Sequence, residues 1–304
     1  MFQYLSEYSM FHHPLITGVV VAIVCSLLSV IVVLKRMAFI GQGISHAAFG
    51  GVGAAVLLGL VGTASQDLIV MAFCIATAVL IGVLSRRKRL EPDSAIGILL
   101  AGAMALGVLL TDLTTVLREY DWYNAIIGSQ APRSSFEQIL FGSIMNVQPA
   151  DMYFTMAFGA AVVLTIALLF KEILFFAFDE QASQVFGVRT GFIYYLLLIL
   201  LSVTIVLTIR LVGVVLVSAL LVIPGATAVL LTRRLGLVLI TALVVGVSGM
   251  LGGLILNLEA GGMMSPGPCV VAVLCLIFGA AFLARNVRNR LIRTDKSDPA
   301  GLPT

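Results

Sequence analysis

Nine runs of about 20 mostly apolar residues follow one another along this 304-residue chain, at 14–34, 43–62, 67–85, 94–111, 150–176, 191–209, 211–232, 236–256 and 267–285. A run of that length suits a helix crossing a hydrocarbon core. In lipid every backbone N–H and C=O must be bonded within the protein, which leaves helices or closed barrels. Barrel strands read as short alternating segments, and these runs are continuous. The reading is an all-α, polytopic integral membrane protein with about eight or nine transmembrane helices. Composition agrees: 11% of residues are charged, against about 25% in soluble domains.

Charge sets the topology. Basic clusters follow the first run (Lys35, Arg36), the third (Arg86, Arg87, Lys88, Arg89), the seventh (Arg233, Arg234) and the ninth (Arg285, Arg288, Arg290, Arg293). The positive-inside rule places these ends in the cytoplasm, with the N-terminus outside and the C-terminus inside. The opposite loops carry Asp67, Asp112, Glu119, Asp121, Glu137, Asp151 and Glu259. Met1–His13 lacks the basic start of a cleavable signal, so Leu15–Leu34 is the first span. Residues 1–290 read as one transmembrane domain, and 291–304 as a disordered cytoplasmic tail. Cys25, Cys74, Cys269 and Cys275 all fall in apolar runs and read as buried small hydrophobes.

The second run is unusual. Beyond Lys35, Arg36 and a possible turn at Gly41, the residues Gly43, Ala47, Gly51, Ala55 and Gly59 recur at every fourth position. They predict a ladder of small side chains that lets a neighbouring helix approach closely. Gln42 and His46 share the adjoining face. His46 is the one histidine inside an apolar run; an imidazole there belongs against protein or a water-filled path, and is a functional candidate. The alternative is a histidine hydrogen-bonded across a helix interface.

Two loops do more than connect. The outer stretch 112–149, with Tyr120, Trp122 and Tyr123, is expected to fold back as short interfacial helices. The inner segment 178–189, FDEQASQVFGVR, predicts a short amphipathic helix. Asp179 is its N-cap, Glu180 lies in its first turn, Ala182, Val185 and Phe186 form an apolar face, and Gly187 stops it. Such a helix suits a groove on a soluble partner. A helix lying on the bilayer is the alternative, disfavoured by the acidic start. Further on, Ile223-Pro224-Gly225 breaks the seventh run, and Gly246, Gly249, Gly252 and Gly253 thin out the eighth. These read as kinks or close packing, or as a broken helix lining a path.

Some chemistry is missing. None of the four lysines follows a glycine, so there is no phosphate-cradling P-loop. No HExxH, no GxSxG and no pair of carboxylates deep in a span is present, which argues against an enzyme. The deep polar groups are few, chiefly Gln42, His46, Ser218 and Asn257. A carrier driven by its own ion gradient would be short of coupling groups.

Four ordered stretches, KRMAFIGQGISHAAFGGVG, FDEQASQVFGV, VGVVLVSALLVIPGATA and SPGPCVVAV, together resemble the membrane permease subunits of the ABC-3 family of zinc, manganese and iron importers. The resemblance covers about 14–285. It implies an ABC importer permease fold in a prokaryotic plasma membrane and a homodimer embedded in membrane lipid. It also implies two cytoplasmic ATPase subunits that bind ATP, and an extracytoplasmic metal-binding protein. No permanent cofactor and no nucleic acid is implied; the metal, zinc or manganese first and iron next, is cargo.

The resemblance further implies that Asp179–Gly187, with Glu180, Val185 and Phe186, is the coupling helix in the ATPase groove. The family pattern at the head of the second span reads Asp-x-x-x-His, with both residues on the metal path. Here His46 fits and Gln42 replaces the Asp. A neutral carbonyl attracts a divalent ion less than a carboxylate does. A softened site, a different cargo, or a carboxylate supplied from elsewhere are the three interpretations. His12, His13 and Glu259, with Met263 and Met264, are weak candidates for an outer metal entry. The rival readings are a permease for a metal chelate (a siderophore or corrinoid) and a stand-alone secondary carrier.

Overall fold

With no water to satisfy them, the peptide groups of each apolar run close on themselves as helix, and the computed structural model describes residues 12–60, 64–86, 92–120, 142, 149–260 and 265–295 in this way. In chain order the helices are α1 (His12–Leu34), α2 (Ala38–Leu57), α3 (Ala64–Arg86), α4 (Pro92–Leu117), α5 (Pro149–Leu168), α6 (Phe170–Phe178), α7 (Glu180–Val185), α8 (Thr190–Val212), α9 (Val214–Leu220), α10 (Ile223–Leu231), α11 (Leu235–Glu259) and α12 (Pro266–Asp295). Among the described residues, nine spans are long and apolar enough to cross a membrane, α9 and α10 counting as one. Most of the stretch expected to form outer interfacial helices, with Trp122 and Tyr123, lies outside the described residues, as do Met263 and Met264.

Several boundaries differ from expectation. Gly41 is no turn: α2 begins at Ala38, and Gly41 is buried within it. Gly59 is not a rung of the ladder. It follows the helix end with φ +69°, where its N–H meets the Val56 carbonyl and the Leu60 N–H meets that of Ala55. That pairing closes the helix and needs a residue without a Cβ. The sixth and seventh spans part at Gly213 rather than at Arg210, at φ +84° and ψ 160°. The last helix runs on to Asp295, well past the apolar residues ending near 285.

α2 is the hub, and its glycines are why. A Cβ on Gly51 would lie 2.8 Å from Val70 Cα of α3, and one on Gly43 would lie 2.9 Å from Ile96 Cγ2 of α4. The tightest crossing uses residues outside the ladder. A Cβ on Gly53 would lie 2.6 Å from the Gly107 carbonyl oxygen of α4, and one on Gly107 would lie 2.6 Å from that of Phe49. α1, the other central helix, packs antiparallel on α11, where Gly246 receives the Ser26 hydroxyl, while Gly249 and Gly253 receive Leu274 and Val270 of α12. The core between these helices includes Leu28, Ile44, Ile81, Leu198, Leu201, Leu216 and Leu220. Replacing Gly53 by Val should weaken folding by about 1–3 kcal/mol, through forced separation of α2 and α4. Gly97→Ala, where a Cβ meets nothing within 4 Å, should leave thermal unfolding in nanodiscs unchanged.

Candidate functional site

The seventh span is interrupted. α9 stops at Leu220 and α10 restarts at Ile223, with Val222 between them at φ −122° and ψ −51°. Pro224 lacks an N–H to leave unpaired. The Gly225 N–H is taken by the Ser29 hydroxyl oxygen of α1, 2.8 Å away. A Cβ at Gly225 would stand 2.5 Å from the Ser29 carbonyl oxygen. The break is thus sealed by a neighbouring helix, which is how irregular backbone is tolerated at membrane depth.

This break opens a cavity of about 220 Å³ against the head of α2. Its lining is Ala38, Phe39, Gly41 and Gln42 from α2, with Ser218, Leu221 and Val222 from the interrupted span. Gln42 is exposed to it. The Ser218 hydroxyl donates to the Val214 carbonyl 2.9 Å away, which leaves its oxygen able to accept. One turn along α2, His46 is half-buried and stacks on Phe49, the ring centroids 6.0 Å apart. Its Nδ1 is buried without a hydrogen-bond partner among the described residues. The expected bond across a helix interface is therefore not made at that nitrogen. Sequence reasoning placed Gln42 and His46 on one face but missed that Ser218 lines the cavity beside Gln42.

His12 and His13 open α1, and Glu259 closes α11. These two helices run antiparallel, so the three residues share one end of the molecule. His12 and Glu259 are exposed, and His13 has its Nδ1 buried and unpartnered among the described residues. No group of three or more His, Cys, Asp or Glu that could hold a metal occurs among the described residues.

At the opposite end of α1 stands α7. The Asp179 carboxylate accepts from the Ala182 N–H at 2.9 Å, a side-chain N-cap on a single-turn helix. Gly187, at φ +83°, ends it: its N–H bonds to the Gln184 carbonyl and the Val188 N–H to that of Ser183. Between these caps Val185 is 86% exposed and Phe186 76% exposed. Two adjacent apolar side chains stand largely exposed at the tip of a tightly capped loop, the Phe186 ring touching Phe175 with centroids 5.5 Å apart.

Sequence and fold comparisons place these features. The model of the ABC 3 transport family matches residues 7–285. The chain belongs to that family. It is 34% identical over 219 residues to the manganese transport system membrane protein MntC of Halalkalibacterium halodurans, covering 72% of this chain and 68% of that one. It is 27% identical to the chelated iron transport system membrane protein YfeD of Yersinia pestis, over 100% of this chain and 99% of that one. Among solved structures, PsaBC from Streptococcus pneumoniae in complex with Fab superposes with a TM-score of 0.76 at 29% identity, covering 92% of this chain and 94% of that one. This permease is therefore an all-α, multi-pass membrane component of a transport system.

Removing the cap at the α7 tip tests how firmly it is held. Asp179→Ala should weaken α7 by about 1 kcal/mol. Faster amide exchange at 180–186, with exchange in α8 unchanged, is the expected readout.

Proposed function

We propose that this permease is the pore of an ATP-driven importer for a divalent transition metal, manganese first, then iron or zinc. The observation that carries the reading is the interrupted seventh span, whose cavity faces Gln42 with His46 one turn away. In such a path a moving ion meets a Gln carbonyl oxygen, a Ser hydroxyl and an imidazole in turn. Oxygen donors with one nitrogen suit manganese better than soft thiolates would, and the buried cysteines Cys25 and Cys74 are not part of the cavity lining. Neutral donors hold the ion weakly enough to release it, which conduction requires. The names of the relatives, manganese and chelated iron systems, support the same class of cargo.

Energy comes from outside the chain in this reading. Two ATPase subunits bind ATP and receive the α7 tip, Val185 and Phe186 filling an apolar groove while Asp179 and Gly187 fix its shape. Two copies of the permease enclose the path, and an extracytoplasmic binding protein delivers metal at the end that carries His12, His13 and Glu259. ATP-driven closure moves the tips and exchanges access between the two sides. α1 and α3 end, and α7 sits, on the cytoplasmic side.

A chelate is the second reading, favoured by the chelated iron relative, which matches along the whole chain. The cavity of about 220 Å³ falls below the roughly 300–1,000 Å³ typical of small-organic-ligand sites, so the bare ion is preferred.

The test reconstitutes the permease with its ATPase and binding protein and compares ATP-dependent uptake of manganese, iron, zinc and an iron chelate. Manganese uptake that falls at least about tenfold in His46→Ala is expected, tenfold being what about 1.4 kcal/mol of lost interaction produces. Chelate uptake exceeding that of every free ion would overturn the choice of cargo. In the same preparation Phe186→Asp should abolish copurification of the ATPase while leaving membrane insertion and thermal unfolding intact. Retained ATPase would refute the docking role of the tip.

A further inference from the structure

One carboxylate ties together three parts of the chain that are far apart in sequence. Glu180, on α7, receives Lys35 Nζ at 2.9 Å on one oxygen and Arg86 Nη2 at 3.3 Å on the other. Lys35 closes α1 and Arg86 ends α3. The lysine side chain is only 15% exposed, and its ammonium sits 3.7 Å from the centroid of the fully buried Phe176 ring. Arg86 lies over Tyr194, 4.8 Å from its centroid. Both cations are pinned by an aromatic face of the α6 and α8 helices that flank the tip, and Glu180 is the common acceptor. A surface ion pair is ordinarily loose because two long side chains must be ordered to make it. Here the aromatic faces have already ordered them.

Lys35 has a second neighbour of consequence. It immediately precedes Arg36, the one described non-glycine residue with positive φ, at +57°. That turn is closed by the Met37 N–H on the Val32 carbonyl at 2.8 Å. α2 starts at Ala38, and Gln42 stands on its second turn. From Glu180 to the cavity-lining head of α2 the path is thus one ion pair and one tight, strained turn, with no flexible linker.

We propose that Glu180 is a positioning residue that latches the α7 tip to the α1–α2 turn, so that displacement of the tip is transmitted to the helix carrying Gln42 and His46. The proposal rests on the reading that the tip meets an ATPase. Arg86 makes the latch two-armed: tip, α1–α2 turn and α3 end move as one body, and the rest of the bundle moves against them. Lys35 can be replaced by Arg, which keeps the charge and reach, but not by Met, which keeps only the stem.

The experiment has two arms in the same variants, Glu180→Gln, Lys35→Met and Lys35→Arg. In the first, the exposed Cys275 is changed to Ser. Spin labels are placed at the exposed positions Gln181 and Phe39, and their distance distribution is measured in spin-diluted nanodiscs. In the second, the reconstituted complex is assayed for ATPase copurification, ATP hydrolysis and manganese uptake. The expected result is a narrow distribution in the parent and in Lys35→Arg, broadened at least about twofold in Glu180→Gln and Lys35→Met. ATPase binding and hydrolysis are retained while uptake per ATP falls roughly fivefold, as for loss of a coupling step rather than of binding.

An unchanged distribution in Glu180→Gln would overturn the latch. So would broadening without any change in uptake per ATP, which would leave the pairs merely structural. Loss of ATPase binding in Glu180→Gln would also overturn it, because the carboxylate would then belong to the docking surface. Should the parent complex transport no metal while the distribution still depends on Glu180, the cargo reading fails and the latch stands.

Discussion

Everything in this permease answers to one constraint: inside the membrane a peptide group must find its partner within the protein. Uninterrupted helices meet it at once, and most of the chain does. The seventh span does not, and the exception is managed by Ser29, whose hydroxyl accepts the Gly225 N–H, and by Pro224, which presents no N–H at the start of α10. Because that repair comes from α1, the break holds its place in the bundle. The cavity beside it is therefore a fixed feature of the packing, with Leu221 and Val222 along one wall and the head of α2 along the other.

The same economy governs contact between helices. Apolar side chains gain little by leaving lipid for one another, so close approach has to come from small residues and backbone contact. Gly53 and Gly107 bring α2 and α4 to backbone contact, Gly253 does the same between α11 and α12, and Gly246 and Gly249 make room for the Ser26 and Leu274 side chains of α1 and α12. α2 is consequently gripped along most of its length. A helix held so closely moves as a rigid rod, with the cavity-lining first turns at its head.

Much of this was legible in the chain. Nine apolar runs gave the helices, and Asp179 with Gly187 bracketed a short helix whose caps form as the residue types require. What escaped has a common cause. The start of α2 at Ala38 is set by the turn at Arg36, an arginine in a conformation that favours glycine, which no propensity scale would place there. Gly59 fits the fourfold spacing by coincidence, and its positive φ belongs to a cap. The Glu180 pairs link residues separated by 145 and 94 positions, and Ser218 meets Gln42 only through the break. Periodicity reports which face a residue is on and cannot report which distant residue shares the space beside it.

That distinction bears on Gln42, which stands where the resemblance implies a carboxylate. A carboxylate beside His46 in an apolar bundle would need a cation partner or a proton whenever the path is empty. Among the described residues the cavity lining offers none: the wall opposite is Ser218, Leu221 and Val222, while Lys35 and Arg86 pair with Glu180 at the α7 tip. An amide needs no such compensation and still presents a carbonyl oxygen. In the proposed function it trades affinity for a path that is stable when empty, which places tight capture on the delivering protein and leaves this chain the weaker task of passage.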